Sequence, residues 1–237
     1  MSNALASPLD SGYNSSVTHI VGLPLFPLHT VLFPGQLLPL HIFEPRYRLM
    51  VTECLAGQST FGVVLIQEGA EVGDEATPFD VGTTARIEQV NRLDDGRFNI
   101  LCVGQARFRV LSLRHNRPYL SGDVDLWPWE PPAQEQPDPR TAHVKSLLTT
   151  YLQRLAHATG NTVQLDDMPD EPAPLAHLAA IVLQIPNQDK QALLSLPTID
   201  SLMTGCIEAL KRENRALAIA PALPSLAQGD VPPFSLN

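Results

Sequence analysis

The chain has 237 residues, 44% of them apolar, and 25 acidic against 16 basic side chains give a formal charge of −9. The apolar fraction excludes a disordered chain, the charge argues against a generic phosphate binder, and no run of about 18 apolar residues offers a transmembrane helix. At roughly 150 residues per domain, the length predicts one large domain or two small ones. Prolines are in excess, 22 in all, against a typical usage of about 5%. Most of them fall in four groups: Pro24–Pro45, Pro128–Pro139, Pro169–Pro174 and Pro221–Pro233. Proline cannot sit inside a helix or a central strand, so each group marks a boundary or an irregular segment.

Taken in order, residues 1–17 are small and polar and read as a loose tail. Short apolar strands are predicted at Ile20–Phe26 and Leu37–Phe43. Glu44-Pro45-Arg46-Tyr47 then opens a helix, with Tyr47, Met50, Val51 and Cys54 or Leu55 at helical spacing and Gly57 as its end. Strands follow at Phe61–Gln67, Val81–Leu93, Phe98–Val103, Ala106–Leu113 and Tyr119–Trp127, with Asp94-Asp95-Gly96 as a hairpin turn. This series predicts a barrel or a strongly bent sheet spanning residues 18–128. The second proline group makes 129–138 a linker.

Beyond it the period changes to helical. Asp138-Pro139 reads as an N-cap with proline at the first helical position, and Val144, Leu147, Leu148, Tyr151, Leu152 and Leu155 form one stripe before Gly160. Leu175–Leu183 forms a second stripe stopped by Pro186. Asn187 is expected to cap a short helix, and Thr198 a last one running to about Ile219. The region 139–220 therefore reads as a small helical bundle, followed by a tail over 221–237.

Motifs of chemistry are missing. No Gly-Lys dipeptide exists for a phosphate-cradling loop, and no GxGxxG, GxSxG or HExxH occurs. Cys54, Cys102 and Cys206 are odd in number and scattered, which fits a reducing compartment rather than disulfides or a cysteine zinc site. With no basic leader preceding an apolar core, the expected location is the cytoplasm. Asp166, Asp167, Asp170 and Glu171 miss the calcium-loop spacing and read as a solvated loop. His41 reads as a strand histidine, facing outward or satisfied in the core, rather than a catalytic base. Lys145-Ser146 is no Ser–Lys dyad, because adjacent helical residues do not face each other. Arg107, Arg109, Arg114 and Arg117 form a basic strip that suits RNA. Asp123 and Asp125 on the next strand are expected to neutralise much of it. No catalytic residue, metal or cofactor is expected.

The informative stretch is Leu23-Pro24-Leu25-Phe26-Pro27-Leu28, then Val31-Leu32-Phe33-Pro34-Gly35, then Leu38–Tyr47. Its prolines forbid regular pairing, so it must run irregularly over the sheet, either as a kinked core strand or as the apolar floor of a groove for extended peptide. With Gly82–Ile87, Asp95-Gly96-Arg97 and Gly104–Arg109, it resembles the substrate-binding N-terminal domain of Lon-type proteases over roughly residues 20–215. The resemblance implies an α+β fold: a bent β-barrel like that of pseudouridine synthase and archaeosine transglycosylase domains (PUA-like), with one inserted helix, followed by an α-helical bundle. It implies a non-enzymatic module, a stand-alone bacterial version without ATPase or protease domains. Its partners would be unfolded or exposed polypeptide segments, with a protease or chaperone beside them, in a role as adaptor or regulator of protein quality control. No membrane or nucleic-acid partner is expected, and an RNA-associated PUA-like module is the alternative. The residues expected at the peptide-contact surface are Phe33, Pro34, Glu44, Arg46 and Tyr47, with Glu44, Arg46 and Arg107 alternatively forming structural ion pairs. Partner identity and oligomeric state are not legible.

Overall fold

The Leu23–Leu28 motif forms the second half of β1 (His19–Leu28), where Leu23, Leu25 and Phe26 are buried. The computed structural model describes residues 18–57, 60–71, 76–132, 138–161 and 168–219. The expected tails at 1–17 and 221–237 lie outside them. After β1 come β2 (Leu37–Ile42), α1 (Pro45–Ala56), β3 (Thr60–Glu68), β4 (Thr77–Arg92), β5 (Phe98–Arg114) and β6 (Ser121–Leu126). Four helices complete the chain: α2 (Pro139–Thr159), α3 (Pro172–Val182), α4 (Asn187–Leu194) and α5 (Ile199–Ile219).

The six strands form one sheet in the order β2-β5-β4-β3-β1-β6, and β6 returns to pair with β5. All neighbours are antiparallel except β1 and β3. Five strands therefore close a ring, and β2 hangs on the first half of β5. The fold is α+β, a near-barrel with one inserted helix followed by a helical region. The expected strands Phe98–Val103 and Ala106–Leu113 are one strand. Between the pairs Thr83↔Arg107 and Ala85↔Gly104 the register shifts, so Gln105 and Ala106 stand against Thr84 alone. The Thr84 hydroxyl fills this bulge, accepting from Ala106 N at 3.0 Å and donating to Ala106 O at 3.2 Å. The strand bends there without breaking. Gly104 admits no side chain, because a Cβ would meet Phe33 O at 2.2 Å. Its close approach lets the Phe33–Gln36 turn bond to β5, through Gly35 N to Gly104 O and Gly104 N to Gln36 O, both 2.9 Å.

α1 lays Tyr47, Met50, Val51 and Cys54 on the barrel core, against Phe26, Phe61 and Ile100 among others. The helices share a second core with barrel residues Val31, Phe33, Leu65 and Val81. Burying these residues together ties the two regions into one hydrophobic unit. The expected caps at Asp138 and Thr198 are present. Asp138 Oδ1 accepts from Arg140 N at 2.8 Å, and Thr198 Oγ1 accepts from Ser201 N at 3.0 Å. Ser201 Oγ accepts in return from Thr198 N at 3.1 Å, a reciprocal capping box. Asn187 does not cap; it is the first residue of α4, and its amide donates to His29 O on the barrel. In the expected linker, Trp129 packs on the helical core and Glu130 bridges to Thr198, while 133–137 lie outside the described residues.

Candidate functional site

β2 is the one strand, among those described, that pairs on a single side. Its open side faces the end of β1 across a groove of about 420 Å³. Phe26, Leu28, Leu38, Leu40, Ile42 and Phe43 give this groove an apolar lining, and His29, His41, Glu44 and Glu71 stand on it as polar groups. Phe43 is 40% exposed, and Leu37 at the other end of β2 is 60% exposed. A smaller depression of about 130 Å³ adjoins it, lined by Pro27, Arg46, Tyr47, Arg117 and Tyr119 among others. Tyr47 borders both.

The local chemistry at Tyr47 comes from the start of α1. Glu44 ends the extended segment, and Pro45 starts the helix without needing a donor. The Glu44 carboxylate does not cap that helix. It accepts instead from Arg46 Nε at 3.0 Å, and Arg46 Nη2 donates to Glu71 O at 3.1 Å. The Arg46 guanidinium lies 4.6 Å from the centre of the Tyr47 ring, whose other neighbour is Phe26 at 4.1 Å. Burial, the largest cause, pushes the Tyr47 phenol up to about 12, so it stays neutral.

Of the residues expected at a contact surface, Glu44 and Tyr47 line the groove and Arg46 the depression beside it. Phe33 does not reach the surface. It is 0% exposed and sits in the core shared with the helices. The turn directs its ring inward because its own N–H bonds Gln36 Oε1 and its carbonyl faces Gly104. Pro34 beside it is half-buried and lines neither depression. Leu28, Leu38, Leu40 and Phe43, which lie in the stretch read as a possible groove floor but were not among the named contact residues, also line the groove. Their signal was in Pro27 and Pro39, which mark strand sides that no neighbour pairs with.

Of the arginine strip the fold encloses Arg107, while Arg109, Arg114 and Arg117 keep solvent-exposed side chains. Arg107 is 1% exposed, with its guanidinium 3.8 Å from the centre of the Trp127 ring and 3.9 Å from that of Trp129. Its Nε donates to Trp127 O at 2.7 Å, and its Nη1 to Leu194 O at 2.8 Å and Leu196 O at 2.5 Å. Among the described residues it makes no ion pair; the expected pairing with a carboxylate is replaced by carbonyls at the end of α4, where a helix presents negative charge. Arg109 stacks on Trp127 at 3.9 Å. Arg114 pairs with Asp123 at 2.6 Å and Arg117 with Glu53 at 2.8 Å. Asp125, expected to neutralise the strip, bonds His19 at 2.9 Å. His41 stands on the strand surface with Nδ1 2.6 Å from Asn99 Oδ1. Lys145 is held by Asp170 and Met168 O, away from any serine hydroxyl bond. Among the described residues no three His, Cys, Asp or Glu side chains converge as a metal site.

The model of the substrate-binding domain of ATP-dependent protease La (LON) matches residues 22–212. The chain belongs to the Lon substrate-binding domain family. Lon protease 2 of Myxococcus xanthus is 26% identical over 213 residues, which cover 88% of this chain and 26% of that protein. Lon protease of Methylocella silvestris is 29% identical over 176 residues, 72% of this chain and 21% of that protein. This Lon-family chain thus spans about a quarter of the length of the curated relatives it matches. Among solved structures, a Lon N-terminal domain protein from Xanthomonas campestris matches with a TM-score of 0.60 at 28% identity, covering 85% of this chain and all of that one. The N-terminal domain of a Mycobacterium avium complex Lon protease has the same fold, with a TM-score of 0.60 at 20% identity, over 80% of this chain and 98% of that one. The matched Lon region holds the barrel, α1 and the helices through most of α5.

Proposed function

We propose that this Lon-family protein is a non-enzymatic module that binds unfolded or exposed polypeptide segments in the β1–β2 groove. In this role it serves as an adaptor or regulator in protein quality control, with a protease or chaperone as partner. The observation that carries the reading is the open groove, lined by apolar and polar side chains, beside a strand with one free side, in a domain of the substrate-binding family. Apolar surface of this kind is stabilised by removal from water, and polypeptides expose matching side chains only when unfolded. Cys54, Cys102 and Cys206 are free and buried, in keeping with a reducing cytoplasm, and no described helix is long and apolar enough to cross a membrane. The polypeptide reading is favoured over the RNA alternative because Arg107 is enclosed, while Arg114 and Arg117 on the surface pair with Asp123 and Glu53.

The test is a fluorescence anisotropy titration with a permanently unfolded polypeptide. Binding in the micromolar range is expected for the native sequence. Phe43→Asp places a charge on the groove at an exposed site, and an affinity loss of about tenfold is expected, near 1.4 kcal/mol. Circular dichroism checks that this variant still folds. Equal affinity of both proteins would place the binding surface elsewhere.

A further inference from the structure

The polar groups along β2 define how a polypeptide enters the groove. Gln36 O accepts from Gly104 N at 2.9 Å, at the start of the β2–β5 ladder. In an antiparallel pair the main-chain groups of successive residues point to opposite sides. Leu38, Leu40 and Ile42 therefore direct their N–H and C=O groups to β5. Leu37, Pro39 and His41 direct theirs outward. Pro39 falls on the outward set, where its missing N–H costs no ladder bond. Among the described residues no main-chain group pairs with that outward side. It offers three carbonyls and two N–H groups. An apolar body laid on them would bury them without partners, at a cost comparable to lost hydrogen bonds. An extended chain brings its own N–H and C=O groups at the matching spacing.

The facing wall does not compete for those bonds. Pro27 on β1 has no N–H, His29 N donates to the Glu71 carboxylate, and His29 O is taken by Asn187. β1 therefore presents side chains to the groove and β2 presents main chain. Among the described residues the lining contains Glu44, which is paired with Arg46, and Glu71, and no Lys or Arg. Arg46 holds one oxygen of Glu44 from the adjoining depression. The lining is complementary to a cationic rather than an acidic segment.

We propose that an extended apolar segment carrying a lysine or arginine adds to the free side of β2 as a further strand, with its alternate side chains on the groove floor and its basic residue at Glu44 and Glu71. This rests on the polypeptide-binding reading above and specifies its mode and its substrate class. The experiment uses a labelled, end-capped nine-residue peptide with alternating apolar and polar residues, so that one face is fixed on the groove. The peptide carries one lysine. Two further versions carry N-methyl groups on all odd or all even residues. Strand addition predicts that one methylated version loses at least tenfold in affinity while the other changes less than threefold. Which version fails reports the direction of the added strand. Replacing the lysine by glutamate is expected to weaken binding at least fivefold, and Glu71→Gln in the protein to narrow that difference. Equal tolerance of both methylated versions, with the parent peptide bound, overturns strand addition alone. Equal affinity of the lysine and glutamate peptides overturns the charge preference. If neither the parent peptide nor the unfolded polypeptide binds a folded protein, the polypeptide-binding reading falls with the proposal. If the unfolded polypeptide binds and the parent peptide does not, the proposed substrate class is overturned and the reading stands.

Discussion

Arg107→Ala is expected to lower the free energy of unfolding by about 4 kcal/mol, measured by urea denaturation. The side chain is buried between Trp127 and Trp129 and donates to three main-chain carbonyls, one after β6 and two at the end of α4. Its removal orphans three acceptors at about 1 kcal/mol or more each. It also removes two stacked cation–π contacts, worth about 1–2 kcal/mol apiece when desolvated. Against this stands the relief of burying a charge without a counter-charge. Burial first, and the nearby Arg109 second, push the Arg107 guanidinium down to about 9, which still leaves it charged at neutral pH. The carbonyls and rings win because truncation leaves a cavity and cannot satisfy those acceptors. Arg107→Lys keeps the charge but not the planar fork, so it is expected to recover less than half of the loss. A change below 1 kcal/mol for the alanine variant would contradict this account of the barrel–helix junction.

The second large effect is acid sensitivity at His177. This residue of α3 packs on Trp129 at 4.8 Å between ring centres, and its Nε2 is buried without a hydrogen-bond partner among the described residues. Burial, then the Arg107 charge, push its pKa from 6.5 down to about 4. A base with a depressed folded pKa binds fewer protons folded than unfolded, so stability is full above about pH 6.5. It falls as pH drops from 6.5 towards 4. The slope approaches 1.4 kcal/mol per pH unit, giving a loss of about 2 kcal/mol by pH 5. His177→Phe keeps a ring against Trp129 and cannot protonate. Unfolding free energies at pH 7 and pH 5 are therefore expected to differ by about 2 kcal/mol more for the native sequence than for the variant. Equal differences would remove His177 as the cause. Asp123, Asp138 and Asp170 are held below the usual carboxylate range, chiefly by hydrogen bonds from Arg114, Arg140 and Lys145. They lose stabilisation only at lower pH.

The features that were legible before the fold was known depend on local chemistry. Asp138-Pro139 and Thr198 read as helix starts because a cap acts within one turn. Pro39 fell on a strand with one free side because a missing N–H is local too, but the irregular path expected of these prolines is not what forms: Pro27 keeps register with β3 inside the buried β1, and Pro39 keeps register with β5. What was hidden depends on long-range pairing. Arg107 alternates with Arg109 and read as part of a basic strip to be neutralised by Asp123 and Asp125, or as one half of a structural ion pair. Its ring partners lie 20 and 22 positions later, and two of its acceptors are carbonyls of Leu194 and Leu196, which no side-chain pattern announces. Phe33 belongs to the motif, yet its direction is set by Gln36 and by β5 passing at Gly104. The groove exists because β6 closes on the second half of β5 and leaves β2 alone on the first half. Leu38 and Leu40 could be assigned to a strand, but the emptiness beside it follows only from the whole sheet.

The central claim is that polypeptide binds along the β1–β2 groove. Amide hydrogen exchange, with and without a saturating unfolded polypeptide, tests it most directly. Added protection is expected at Leu37 and His41, the outward N–H groups of β2, with little change in β4 or α2. Saturated binding that leaves Leu37 and His41 unprotected, with protection instead at the exposed Val21, Leu111 and Leu113, would contradict it.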